Sequence, residues 1–258
     1  MWKYIRVTLL LLLLLGVAGT TWLDRVRTTS WKDTVWVGIF PLNADGSEVA
    51  EHYIERLKAE DFASIEEFFT SESARYGVRV ERPIRIELYP EAHKLPPVLE
   101  RGAGPLATAW WSLKTRWFAR QAGNVPGRVS SHIRVFVLYH DPALSEQVPH
   151  SLGLQKGLIG VVHAFADDRM RGQNSIVIAH ETMHTVGATD KYDLAGNGQP
   201  LFPDGYAEPD RKPRYPQPMA EIMAGQRPLS PTRREMPDDL RDVAVGQVTA
   251  REIGWVRP

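Results

Sequence analysis

The chain has no cysteine in its 258 residues, which excludes a disulfide framework and any thiolate metal site. It has no excess of either charge, because 31 Lys and Arg residues balance 31 Asp and Glu. Without a net field there is no global electrostatic case for a nucleic-acid partner, and that class is set aside. Internal repeats and low-complexity tracts are absent too, and 43 % apolar residues are enough to bury one good core. Long hydrophobic runs are missing everywhere but at the start. There Lys3 and Arg6 precede an apolar run from Val7 to Leu23 of about 17 residues, near the lower limit for spanning a bilayer. Residues 1–24 therefore read as a signal anchor that leaves the rest of the chain extracytoplasmic and membrane-attached. The alternative is a signal peptide cut near Val17-Ala18-Gly19, which gives a secreted or periplasmic protein.

The remainder, 31–258, reads as one α+β domain with an upper lobe over about 31–187 and a lower lobe over about 188–258. Residues 34–40 are dense in β-branched and aromatic side chains and predict a buried strand. Residues 48–76 carry Ile54, Leu57, Phe62, Ile65, Phe68 and Phe69 in one stripe and predict a long helix on a sheet. Ile84, Ile86 and Leu88 alternate as a strand with one wet face. In a helix over 106–121, Leu106, Trp110, Leu113 and Trp117 are expected to be buried, with Lys114, Arg116 and Arg120 toward water; the tryptophans and bases also suit a membrane surface. Residues 133–139 read as a central strand. Residues 158–166, interrupted by Gly160 and His163, read as an edge strand beside a cleft, where an extended substrate adds by main-chain pairing. His163 then either faces substrate or is structural. Asn174 or Ser175 is the expected N-cap of the next helix, and 238–253 reads as the last one.

That next helix carries the chemistry. His180-Glu181-Thr182-Met183-His184 places two imidazoles four residues apart, on one helical face, aimed at one point. Glu181 stands roughly 100° further round, where a general base reaches a water on the open side of a bound zinc ion. Gly187 tolerates a left-handed C-cap, after which the chain turns back and brings Asp190 up as third ligand. Three protein ligands leave a fourth position for water, the mark of a catalytic zinc site. A chance His-Glu-x-x-His somewhere in such a chain has a probability of roughly 1–2 %, and the added Gly and Asp lower it to about one in ten thousand.

Residues 180–190 resemble the extended zinc signature of the metzincin metallopeptidases, in the variant ending in Asp that snapalysin-like and immune-inhibitor-A-like secreted proteases show; Asp190-Lys191-Tyr192-Asp193 is similar to the latter. The resemblance implies a two-lobed zincin fold, a twisted mixed sheet with packed helices, and an active-site helix at the cleft. It also implies an irregular C-terminal lobe with a methionine turn and a final helix. Ala220-Glu221-Ile222-Met223-Ala224-Gly225 is similar to that turn, with Met223 as its methionine and Met219 as the alternative. The activity implied is zinc-dependent hydrolysis of peptide or protein substrates, with Glu181 as base. The rivals are an amidase on a non-peptide substrate and a membrane-tethered, non-catalytic zinc-binding module. Tyr192, Tyr206 and Tyr215 are the phenols available to a developing oxyanion. Asp193, Asn197, Asp204, Glu208 and Asp210 are oxygen donors amid turns; they admit a structural calcium ion but lack an EF-hand spacing.

Overall fold

A strand order that reverses direction once organises the chain. In the computed structural model, which describes residues 28–99, 102–128, 130–155 and 157–256 together with 4–8 and single positions at 11, 15, 19 and 26, five strands form one sheet. They are β1 (Val35–Asn43), β2 (Ile84–Leu88), β3 (Ile133–His140), β4 (Leu152–Leu154) and β5 (Ile159–Phe165), in the spatial order β2-β1-β3-β5-β4. The first three and β5 are parallel, and β4 alone is antiparallel, on β5. Two helices, α1 (Glu48–Arg56) and α2 (Ala63–Arg75), join β1 to β2; α3 (Pro105–Ala122) joins β2 back past β1 to β3. The two crossovers run in opposite directions along the sheet, so one preferred hand requires them to lie on opposite faces. They do. Tyr53, Ile54, Ile65 and Phe69 of α1 and α2 pack with Val35, Val37, Ile39, Val135 and Val137, whereas Phe118 and Ala119 of α3 pack with Phe40, Leu42, Phe136 and Leu138. Alternation along β1 and β3 thus feeds two separate cores.

After β5 the chain enters α4 (Arg171–Thr185), which lies on the α1–α2 face through Ile176, Ile178, Ala179 and Met183. From Gly187 onward regular structure is sparse. Short strands β6 (Ala220–Glu221) and β9 (Val243–Ala244) pair in parallel, β7 (Arg227–Pro228) and β8 (Arg234–Glu235) form a hairpin, and α5 (Gln247–Glu252) closes the body. This segment is tied to α2, since Val245 N donates to Glu72 Oε2 at 2.6 Å and the Tyr76 hydroxyl donates to Val245 O at 2.6 Å. The entering chain is fixed to the same end, with Trp31 Nε1 donating to Ile253 O at 2.6 Å. The architecture is a mixed α/β fold on a mostly parallel sheet, in keeping with the α+β class.

Several sequence expectations need correction. The helix expected over 48–76 is two helices joined by a 3-10 turn, Ala59–Phe62, closed where Asp61 Oδ2 accepts from Lys58 N at 2.8 Å. Strand β5 is not an edge; it lies between β3 and β4, and the edge is the three-residue β4. The expected N-cap residue Asn174 lies inside α4, where its amide pairs with both main-chain groups of Phe165 at 2.9 and 3.2 Å. The last helix spans only Gln247–Glu252, because Glu72 and Glu221 capture the backbone ahead of it. The stripe on α3 is inverted: Trp111, Thr115 and Ala119 are buried, while Leu106, Trp110, Leu113 and Trp117 are exposed. Most of the segment over residues 1–24 lies outside the described residues, and no described helix is long and apolar enough to cross a membrane.

Candidate metal centre

α4 is buried on most of its circumference over its last turns, since the sheet lies on one side and the C-terminal segment on the other. His180 and His184, one turn apart, bring their rings edge to face with centroids 4.7 Å apart. Gly187 ends the helix with φ of +111°, a conformation that suits glycine. Its N–H donates to His184 O and that of Ala188 to Met183 O, both at 3.1 Å. The chain then reverses, and Asp190 Oδ1 arrives 3.2 Å from His180 Nε2 and 3.1 Å from His184 Nε2.

The far sides of the two rings decide which nitrogens face Asp190 as lone pairs. His180 Nδ1 is 2.9 Å from Ile222 O, and His184 Nδ1 is 2.9 Å from Ala188 O. A carbonyl only accepts, so each Nδ1 carries a proton, and whenever a ring is neutral its Nε2 is the lone pair. Two lone pairs and a carboxylate oxygen then face one another at contact distance, which is repulsive unless a cation lies among them. Ligands about 2.0–2.1 Å from a tetrahedral ion stand roughly 3.3 Å apart, close to what these atoms show. His180, Glu181 and His184 also offer ligand atoms within 4.8 Å of one another. The residues present therefore fit a metal ion.

With no ion among them, the same three groups would draw protons onto the rings instead. Burial works against charge on His180, but Asp190, Glu181 and the Ile222 carbonyl outweigh it and hold its pKa above the ordinary value. Burial likewise opposes the Asp190 anion, yet hydrogen bonding and attraction from both imidazoles hold its carboxyl well below the usual carboxylate range. Burial pushes Glu181 up, against the attraction of His180 and His184. Glu181 is 5 % exposed, and its Oε2 is buried without a hydrogen-bond donor among the described residues. A basic oxygen left without a donor is suited to taking a proton.

The edge strand lies directly on this helix. A Cβ on Gly153 of β4 would meet His184 Cβ, and would stand 2.6 Å from Glu181 O and 3.1 Å from Glu181 Oε2. Only glycine lets the main chain of β4 approach so closely. Met223 is fully buried, Lys191 N donates to Met223 O at 2.9 Å, and the neighbouring Ile222 O holds His180. Met219 lines a separate cavity of about 670 Å³ with Phe68, Gly172 and Leu240. The loop that carries Asp190 is clamped by Lys191, only 5 % exposed, whose ammonium contacts both Glu252 oxygens at 2.8 Å.

Of the three phenols, Tyr192 belongs with the centre. Burial, then the neighbouring Asp190 and Glu181 charges, push its pKa up to about 12. Tyr206 and Tyr215 instead pair with each other, Oη to Oη, at 2.8 Å. His163 points to the α3 face, away from α4, because Val162 and Ala164 on either side of it pack on the α4 face. There its Nδ1 meets His140 Nε2 at 2.9 Å, and burial followed by His140 lowers its pKa to about 4. The oxygen donors of the loop after Asp190 close turns: Asp193 Oδ1 accepts from Ala195 N and Gly196 N at 3.0 Å, Asn197 Oδ1 accepts from Gln199 N at 3.1 Å, and Glu208 pairs with Arg211 at 3.2 Å. Among the described residues they gather no metal-binding group of three.

The backbone carbonyls of Ile222 and Ala188, the glycine of β4 and the Glu221 carboxylate escaped the sequence reading, since main-chain acceptors and a three-residue strand leave no residue-type signal. No protein-family model matches the chain, and no curated protein matches it.

Proposed function

We propose that the chain is a zinc-dependent metallopeptidase of metzincin type. The observation that carries this reading is the convergence of His180 Nε2, His184 Nε2 and Asp190 Oδ1 at 3.1–3.2 Å beside the buried, donor-free Oε2 of Glu181. The order of parts implied by the resemblance supports it: a mixed sheet, the histidine helix, an irregular C-terminal segment with buried Met223, and a last helix. The apolar run after Lys3 and Arg6 supports an extracytoplasmic, membrane-attached location.

A zinc ion held by His180, His184 and Asp190 would supply Lewis-acid polarisation and a water acidic near neutral pH. Glu181 takes one proton from the attacking water as the water's oxygen bonds to the scissile carbonyl carbon. The same carboxyl returns the proton to the departing nitrogen as the C–N bond breaks. The Tyr192 phenol, kept protonated by its raised pKa, donates to the carbonyl oxygen as negative charge develops there. The outer edge of β4, antiparallel to β5 on its other side, aligns an extended polypeptide by main-chain pairing. Gly153 keeps that edge against Glu181.

The test compares peptide-library cleavage by zinc-loaded wild type and Glu181→Gln at equal metal content. Wild type is expected to cleave and the variant to lose at least about a thousandfold in kcat, with metal retained. Turnover of acylated amines but of no peptide would replace the reading with the non-peptide amidase. No turnover of either, with zinc bound, would replace it with the binding module.

A further inference from the structure

Helix α3 presents to solvent the face its sequence pattern should have buried. Leu106, Trp110, Leu113 and Trp117 recur at helical spacing and fall within about 60° of arc. Their exposures are 88, 61, 56 and 65 %. Trp111, Thr115 and Ala119 occupy the opposite, buried face. The exposed ridge is therefore additional to the core, and four large apolar residues in line are more than scattered surface residues explain.

The charges beside the ridge point to what covers it. The helix sequence PLATAWWSLKTRWFARQA contains three cations, Lys114, Arg116 and Arg120, and no carboxylate, although the whole chain is electrically balanced. Lys114 lies on one flank of the ridge, with its Nζ 5.6 Å from the centre of the Trp110 ring; Arg116 and Arg120 lie on the other flank. A tryptophan and leucine ridge with cations on both flanks is the pattern of a helix lying in the headgroup region of an anionic bilayer. Each cation near such a surface strengthens docking about fivefold. The neighbouring loop adds Val98, 88 % exposed, and is held to α3 by Trp111 Nε1 donating to Pro97 O at 2.8 Å.

We infer that the outer face of α3 is a membrane-docking surface for anionic phospholipid, separate from the apolar run over 7–23. Its position suits that role. α3 covers the sheet face opposite α4, so docking through it leaves the metal centre turned to water. Two attachments, an apolar segment and a basic aromatic helix, fix the orientation of the body as well as its location.

The lack of native cysteine allows a single-label test on the full chain. Leu113→Cys carries an environment-sensitive fluorophore, and Val49→Cys, on α1 at the other sheet face and 46 % exposed, is the control. The protein is reconstituted into vesicles of phosphatidylcholine alone or with phosphatidylglycerol, containing nitroxide lipid as quencher. The expected result is quenching at position 113 and not at 49, stronger with phosphatidylglycerol and weakened in roughly 0.5 M salt. Adding Lys114→Gln and Arg120→Gln should lower the docked-to-undocked ratio by about fivefold per cation removed. A water-exposed label at 113 in anionic vesicles would overturn the inference, as would quenching indifferent to lipid charge. Shielding of position 113 in detergent without lipid would also overturn it, assigning the ridge to a second copy if concentration-dependent and to the chain's own N-terminal segment if not.

Discussion

Asp190 faces two imidazoles whose other nitrogens are committed to the carbonyls of Ile222 and Ala188. Its role therefore depends on charge more than on shape. Asp190→Asn keeps the volume and one acceptor oxygen but removes the anion that offsets part of a divalent charge. Zinc affinity is expected to fall by more than about 100-fold, beyond the usual effect of altering an outer partner of a ligand, as read by competition with a chromophoric chelator. Unchanged affinity would remove Asp190 from the ligand set. At this scale the centre was legible in the sequence, because two histidines one helical turn apart, a glycine to turn the chain and an acid beyond it are statements about residue type and spacing. The protonation state of each ring was not, since it is set by main-chain oxygens 4 and 42 positions away that any residue would provide.

Among the elements, the turn at Met223 owes its shape to a carboxylate that touches none of the ligands. Glu221 is fully buried; its Oε2 accepts from Met223 N at 2.6 Å and Ala224 N at 3.0 Å, and its Oε1 from Gly246 N at 3.1 Å and Thr249 Oγ1 at 2.7 Å. Burial raises its pKa, and these four donors oppose the rise. It thus joins the turn at Met223 to the start of α5, and that turn presents Ile222 O to His180. Glu221→Gln replaces one acceptor oxygen with an amide; the Thr249 hydroxyl can rotate to accept from it, but Gly246 N–H cannot and is left buried without a partner. We expect a loss of about 2–3 kcal/mol in urea unfolding and a weaker zinc complex. An unchanged midpoint and unchanged affinity would separate Glu221 from the centre. The elements themselves were less legible than the centre. Amphipathic periodicity located α3, yet periodicity reports that one face is apolar and not which face meets the sheet; Phe118 and Ala119 make that contact instead. Strand β4 has three residues, too few for alternation to register.

The whole molecule joins the centre from distant parts of the chain, with His180 and His184 on α4, Asp190 after its end, and Ile222 behind His180. Metal binding to such a set stabilises the native state. With free zinc at about a thousand times Kd the gain is roughly 4 kcal/mol, so chelation should lower Tm by roughly 8–16 °C for a domain of this size, and a His184→Ala variant should not respond. On the other side of the sheet a second titration operates without metal. His163 has an ordinary pKa of 6.5, lowered to about 4 in the fold by burial and by His140, so between those values the unfolded chain binds more protons than the native one. Its contribution to stability is complete above pH 6.5 and declines as pH falls toward about 4. His163→Gln cannot charge and can still hydrogen-bond His140. In chelator, which removes metal release as a second acid-sensitive process, the wild-type Tm should fall more steeply than the variant's between pH 6.5 and 4.5, and the two curves should run parallel above pH 7. Parallel curves throughout would mean that the imidazole pair is solvated enough to titrate normally. A steeper fall in the variant would mean that charging His163 is favoured by the fold, opposite in sign to what its burial on the α3 face requires.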